Sequence, residues 1–248
     1  MGAPVPRPPA PPPRVLATYN RWVAVTPDTG RFGDMTVEGF VDRLGSSEPV
    51  PGGGSASAVA AALGAALVRM VASLSTGRPK FAAHEELLGW AMERGDELAD
   101  RFLALADDDA AAFADFAAAM KLPRTTDAEA EARHVALRAA AHHASEVPLS
   151  CVEACLELVQ VAEALAGRSN PNASSDLNVA ALLAEAAARG AAANVLINLP
   201  SIANTEVEGD MTTRVTELLS EIEDFATTTR EVVGSGEPAE PRLPPQRG

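Results

Sequence analysis

From Ser55 to Val68 the chain carries no charge and is built almost wholly of Ala, Gly, Ser, Leu and Val, and three consecutive glycines, Gly52, Gly53 and Gly54, open the run. Good helix formers dominate it, so it reads as a helix. Side chains this small bury little area each, so such a helix holds only where its neighbours come close. Aromatic residues make up only 4% of the sequence, so the core must be filled by Ala, Leu and Val, which favours closely packed helices over a sandwich or barrel. No strand pattern stands out elsewhere, and short connections favour antiparallel neighbours. The expected fold is all-α, an up-and-down bundle of long antiparallel helices in a single domain. The glycines would let another group approach the backbone, and the free amides of the first helical turn could seat an anion or a polar ring edge. A flexible turn before a buried helix fits the glycines equally well.

A formal net charge of −14 over 248 residues argues against nucleic acid as a partner, since phosphate binding needs a basic face. An anionic ligand must therefore be met by local cations. Cys151 and Cys155 lie four apart in a helical segment, which implies no disulfide framework. Together with His142 or His143 they do not match a recognised zinc spacing. No stretch reads as the roughly 18 strongly apolar residues of a membrane span, and the N-terminus lacks the pattern of a secretory signal. The expected location is cytoplasmic, with no membrane partner.

Residues 1 to 34, with seven prolines among the first 14, are expected to form a disordered extension. A helical domain should occupy 35 to 232, and a Pro- and Gly-rich tail 233 to 248. Thr36 starts a short helix closed by Gly45. The glycine-led helix should reach about Thr76, where Gly77 and Pro79 end it. A long helix follows over 82 to 121, then one from Thr126 or Asp127 to Ser145, and a further one from Pro148 to Leu165. After the polar loop 167 to 175 a helix is expected over 176 to 189, with Gly190 and Pro200 breaking the next apolar stretch, and a last amphipathic helix over 211 to 233.

The sharpest chemical signal is Asp109. It interrupts the apolar stripe Leu98, Phe102, Leu105, Phe113, Phe116 of the long helix. A carboxyl so placed is costly to ionise, and its raised pKa suits general acid/base work near neutrality. Pairing with a core arginine is the competing reading. Asp107 and Asp108, about 200° and 100° round the helix, should lie on solvated or flanking faces. Asn194, Asn198, Ser201 and Thr205 repeat at steps of four, three and four. The two amides suit a heterocycle that shows donor and acceptor on one edge, or they join helices to each other. Asp176 is either a first-turn acid complementing its helix dipole or a ligand carboxylate beside Asn170 and Asn172. Arg78 and Lys80 could bind ligand carboxylates or complement a helix end.

Taken in order, these pieces resemble the cyclodeaminase/cyclohydrolase family. The matching stretches are Met35 to Phe40, Pro51 to Ser55, Gly64 to Leu67 with Met70-Val71, and Thr76 to Phe81. Beyond them stand Asp107 to Phe113, Lys121-Leu122-Pro123, Val147 to Leu149, Asn170-Pro171-Asn172 with Ser175-Asp176, and Asn194 to Leu199. Ser169 departs from the pattern, since the family usually has Gly there. The resemblance implies an all-helical homodimer that takes a tetrahydrofolate derivative as substrate, with no metal and no permanently bound cofactor. It points to Asp109 first and Asp176 second as proton-transfer residues. Gly52, Gly53, Gly54, Ser55, Arg78, Lys80, Lys121, Asn170, Asn172, Asn194 and Asn198 are the implied substrate-binding set. Only 34 residues precede the resembling region, too few for a formiminotransferase domain. That favours a methenyltetrahydrofolate cyclohydrolase over a formiminotetrahydrofolate cyclodeaminase. A helical dimer that binds a folate or pterin without turnover is the reading of a different class.

Overall fold

The computed structural model describes residues 30 to 238. Among them the regular structure is helical throughout: α1 (Val37–Leu44), α2 (Gly53–Ser73), α3 (Glu85–Met120), α4 (Asp127–Leu165), α5 (Ser174–Asn198) and α6 (Thr205–Ser235), with short 3₁₀ turns between. Helices α2, α3, α4 and α5 pack in a ring, and α6 lies along α4 and α5. The ring is antiparallel, as expected: Gly54 meets Asp109 on α3, and Gly95 meets Ala65 and Arg69. The core is aliphatic, with Leu88, Leu98, Leu158, Leu165, Leu177, Leu218 and Ile222 fully buried and Phe102 the one ring among them. Ion pairs tie the outer faces: Arg94 and Arg101 to Glu157 between α3 and α4, and Glu185 to Arg230 between α5 and α6.

Helix boundaries differ from the sequence reading for identifiable reasons. Thr126 caps α4 through a full capping box with Glu129, but the helix does not stop at Ser145; it runs on through Pro148. A proline inside a helix leaves the carbonyl four residues earlier without its N–H partner. Here that carbonyl is Ala144 O, and it accepts instead from Asn198 Nδ2 of α5 at 2.7 Å. Gly190 is no break either. A Cβ there would come within 2.3 Å of Ser57 Oγ, so the glycine lets α5 close on α2. The glycine-led helix ends at Ser73, a turn short of Thr76, while Gly77 takes the left-handed conformation, φ 71°. Helix α6 starts six residues earlier than expected, at Thr205, capped by Asn204, whose side chain accepts from two backbone N–H groups.

Order also begins before Met35. The buried Phe32 donates its N–H to Asp107 Oδ1 at 2.8 Å, and Arg31 lies 3.6 Å from the same carboxylate. Asp107 is thus a tether for the segment ahead of α1. At the other end α6 continues to Ser235, so residues 233 to 235 belong to the helix. Residues 1 to 29 of the expected N-terminal extension and 239 to 248 of the expected C-terminal tail lie outside the described residues.

One expectation is overturned by helix length. Gly53–Ser73 and Pro171–Ser201 are both long and apolar enough, by length and composition, to cross a membrane. The sequence reading missed this because it discounted alanine and broke the second stretch at Gly190. Both segments pack within the ring, and 50% and 44% of their most apolar windows are buried there.

Candidate active site

The run of α2 through three glycines brings the start of that helix against the middle of α3. Asp109 Oδ2 accepts from the Ser55 N–H at 2.8 Å and from Ser55 Oγ at 2.9 Å. The seat for an anion at the helix N-terminus is therefore taken by the chain's own carboxylate. Ser55 is fully buried, and its hydroxyl is also 2.9 Å from Ala106 O, so it holds Asp109 rather than facing a ligand. Of the three glycines, only Gly54 is forced. A Cβ on it would stand 2.1 Å from Asp109 Oδ1, whereas one on Gly53 would meet nothing nearer than Asn194 Nδ2 at 3.7 Å. Gly52 takes an extended conformation open to any residue, so the glycines serve close approach rather than unusual dihedrals.

Among the described residues no arginine pairs with Asp109. Burial pushes its carboxyl above the ordinary carboxylate range, and the two bonds from Ser55 pull in the opposite direction without cancelling the rise. The carboxyl faces a cavity of about 320 Å³ lined by Gly52, Gly53, Gly54, Phe113, Phe116, Asn194, Ile197 and Asn198, among others. Helix α3 runs past the start of α2. Phe113, which is exposed, and Phe116, which still packs on the core's edge, continue the stripe of Leu98, Phe102 and Leu105 and become cavity wall. Asn194 donates through Nδ2 to Gly190 O of its own helix, and Asn198 to Ala144 O. Among the described residues nothing donates to their carbonyl oxygens, which remain acceptors for a ligand.

The other expected site residues lie elsewhere. Asn170 donates its N–H to Ser75 Oγ and accepts from the Asn172 N–H, a turn that joins the loop to the far end of α2. Lys80 and Asn170 line a separate concavity of about 230 Å³, and the exposed Arg78 is adjacent in sequence. Asp176 sits in the first turn of α5, about 27 Å along that helix from Asn194. Lys121 is the exposed C-cap of α3, five residues beyond Phe116. Within one chain, then, Gly52, Gly53, Gly54, Asp109, Asn194 and Asn198 come together, while Arg78, Lys80, Asn170, Asn172 and Asp176 gather at the opposite end. Pro148 and Ala144 belong to the site's support and were missed by the sequence reading. The one available signal was a proline in the middle of an otherwise helical pattern. Cys151 and Cys155 are buried in α4, and among the described residues no group of three or more His, Cys, Asp or Glu is placed to hold a metal.

Comparison with known proteins adds to this geometry. A family model described as formiminotransferase-cyclodeaminase matches residues 36 to 217. A methenyltetrahydrofolate cyclohydrolase of Methylorubrum extorquens is 41% identical over 166 residues, covering 67% of this chain and 80% of that protein. The formimidoyltransferase-cyclodeaminase of Gallus gallus is 37% identical over 182 residues, which cover 73% of this chain but 34% of that longer protein. A crystal structure of formiminotetrahydrofolate cyclodeaminase from Thermotoga maritima superposes with a TM-score of 0.73 at 26% identity, covering 82% of this chain and 98% of that one.

Proposed function

The chain belongs to the formiminotransferase-cyclodeaminase family, and from that premise we propose that it hydrolyses 5,10-methenyltetrahydrofolate to 10-formyltetrahydrofolate with Asp109 as the proton-transfer residue. It is a folate one-carbon enzyme acting on a C–N bond. The observation that carries the residue assignment is a partly buried carboxyl that has no cationic partner among the described residues, its pKa raised, on the wall of a cavity that also offers two amide oxygens. About 320 Å³ is at the low end of ligand sites, enough for a bicyclic pterin head but not for the tail behind it.

Water adds to the methenyl carbon and gives one proton to the Asp109 carboxylate. The bond from that carbon to N5 then breaks, N5 takes the proton back from Asp109, and the remaining hydroxyl proton leaves to solvent as the formyl group forms. Burial suits this exchange, because a raised pKa makes the carboxylate a stronger base toward the attacking water and brings the group nearer to neutrality, where it can both take the proton and return it to N5. The amides of Asn194 and Asn198 orient the pterin edge. Asp176 stays a second candidate only where another copy brings it near. The free cysteines Cys151 and Cys155 accord with a reducing, cytoplasmic compartment.

The cyclohydrolase is preferred to the cyclodeaminase on the identity to the Methylorubrum enzyme and on the share of that enzyme covered. A spectrophotometric assay following loss of methenyltetrahydrofolate, with formiminotetrahydrofolate and ammonia release in parallel, tests this. Turnover of the first substrate alone is expected. Ammonia release without methenyl hydrolysis would reassign the reaction, and binding without turnover of either would make the protein a folate carrier.

A further inference from the structure

Pro148 is buried in the interior of α4, where its ring has no N–H to give to Ala144 O. Ala144 itself lines the cavity. The donor that serves its carbonyl instead is Asn198 Nδ2 at 2.7 Å, on a different helix and 54 residues away in the chain. A carbonyl oxygen can only accept, so the end of the Asn198 amide turned to α4 has to be its NH2 group, and Oδ1 is fixed on the other side. Turning the amide over would set two acceptors against each other and leave Ala144 O without a donor. In an unbroken helix that preference would vanish. Ala144 O would already hold its own N–H, and Asn198 could present either end. Asn194, one turn earlier on α5, is held less firmly, because Gly190 O accepts its helical N–H as well as its Nδ2.

We propose that Pro148 is a positioning residue that sets the site's selectivity: by leaving Ala144 O open it fixes Asn198 as an acceptor, and the cavity thereby selects a heterocycle whose facing edge donates. Pro148 is outside the cavity lining and acts through Asn198. The proposal rests on the reading of this cavity as a pterin site, and not on which reaction follows there. In a 2-amino-4-oxo pteridine the ring nitrogen N3 carries a hydrogen and gives it to Asn198 Oδ1. In a 2,4-diamino pteridine the same nitrogen is a bare acceptor, which faces that oxygen lone pair to lone pair. The two rings are nearly the same size, so polarity alone separates them. A site built to accept a hydrogen rejects the analogue that lacks it, because the oxygen is then left without a partner.

Fluorescence titration of the full chain with pterin and with 2,4-diaminopteridine, both rings neutral, reads this polarity directly. Wild type should hold pterin about 10-fold more tightly, the worth of one hydrogen bond. Pro148→Ala returns an N–H to Ala144 O and frees the amide, so the preference should shrink to about 3-fold or less. A second substitution separates positioning from mere support of α4. A carboxylate shows an oxygen whichever way it turns, so Asn198→Asp in the Pro148→Ala background should restore the preference for pterin. With Pro148 in place the same carboxylate faces Ala144 O, and Asn198→Asp should weaken pterin binding. Equal binding of both rings by wild type, or a preference that Pro148→Ala leaves unchanged, would overturn the proposal and leave the pterin site standing. Asn198→Ala should lose the preference too, so its retention there would also overturn the proposal, even if Pro148→Ala melts early. Binding of neither ring would overturn the pterin reading, and the proposal with it.

Discussion

Gly54 and Asp109 are a matched pair, and each explains the other. Because a Cβ at Gly54 would lie 2.1 Å from the Asp109 carboxyl, Gly54→Ala must push that carboxyl aside, and a displacement near 1 Å at a reacting group costs about 10² in kcat. Gly53→Ala, with open space to 3.7 Å, should keep most of the activity. Steady-state kinetics of the two variants decides this, equal losses speaking against the contact. Titration gives a second handle. The Asp109 pKa is raised in the folded chain, so the native state holds the proton more tightly than the unfolded one, and stability falls as pH rises from the ordinary carboxylate value to the raised one. Asp109→Asn should therefore melt no lower than wild type at neutral pH, and any gain should vanish below about pH 4. A large loss of stability at neutral pH would point to an unseen cation.

Among the elements, α4 is where sequence reading and structure part most clearly. Pro148 looked like the start of a new helix because its compensation lies 50 residues away in the chain, at Asn198 on α5, and no local pattern announces a bond from Asn198 Nδ2 to Ala144 O. Asp109, by contrast, was legible: an acidic residue in an apolar stripe needs only helical periodicity to be noticed. The Gly54 contact was half legible, since glycine signals close approach without saying to what. Asn198→Ala should destabilise by about 1 kcal/mol by orphaning the Ala144 carbonyl. In a Pro148→Ala background, which returns an N–H to that carbonyl, the same change should cost nearly nothing, a coupling that a double-mutant cycle by denaturant melts would read. Additive losses would mean that Asn198 serves the cavity alone.

For the whole molecule, sequence reading grouped residues by type and order, and the length of α2 separates them. Arg78, Lys80, Asn170 and Asn172 lie about 30 Å from Asp109 in one chain because twenty-one residues of helix stand between. The folded unit also starts earlier than the first family-like residue. Removing residues 1 to 34 takes away buried Phe32 and its bond to Asp107, which should lower stability by about 2–3 kcal/mol relative to removal of 1 to 29. Equal melting temperatures for the two truncations would show that Phe32 contributes nothing. The account as a whole turns on one carboxyl in a chain that is otherwise left intact. The direct measurement is methenyltetrahydrofolate hydrolysis by wild type and Asp109→Asn side by side at neutral pH, with melting curves on the same samples. The expected result is a kcat lower by about 10²–10⁴ in a variant that melts no earlier. A variant that hydrolyses the substrate at near the wild-type rate would contradict it.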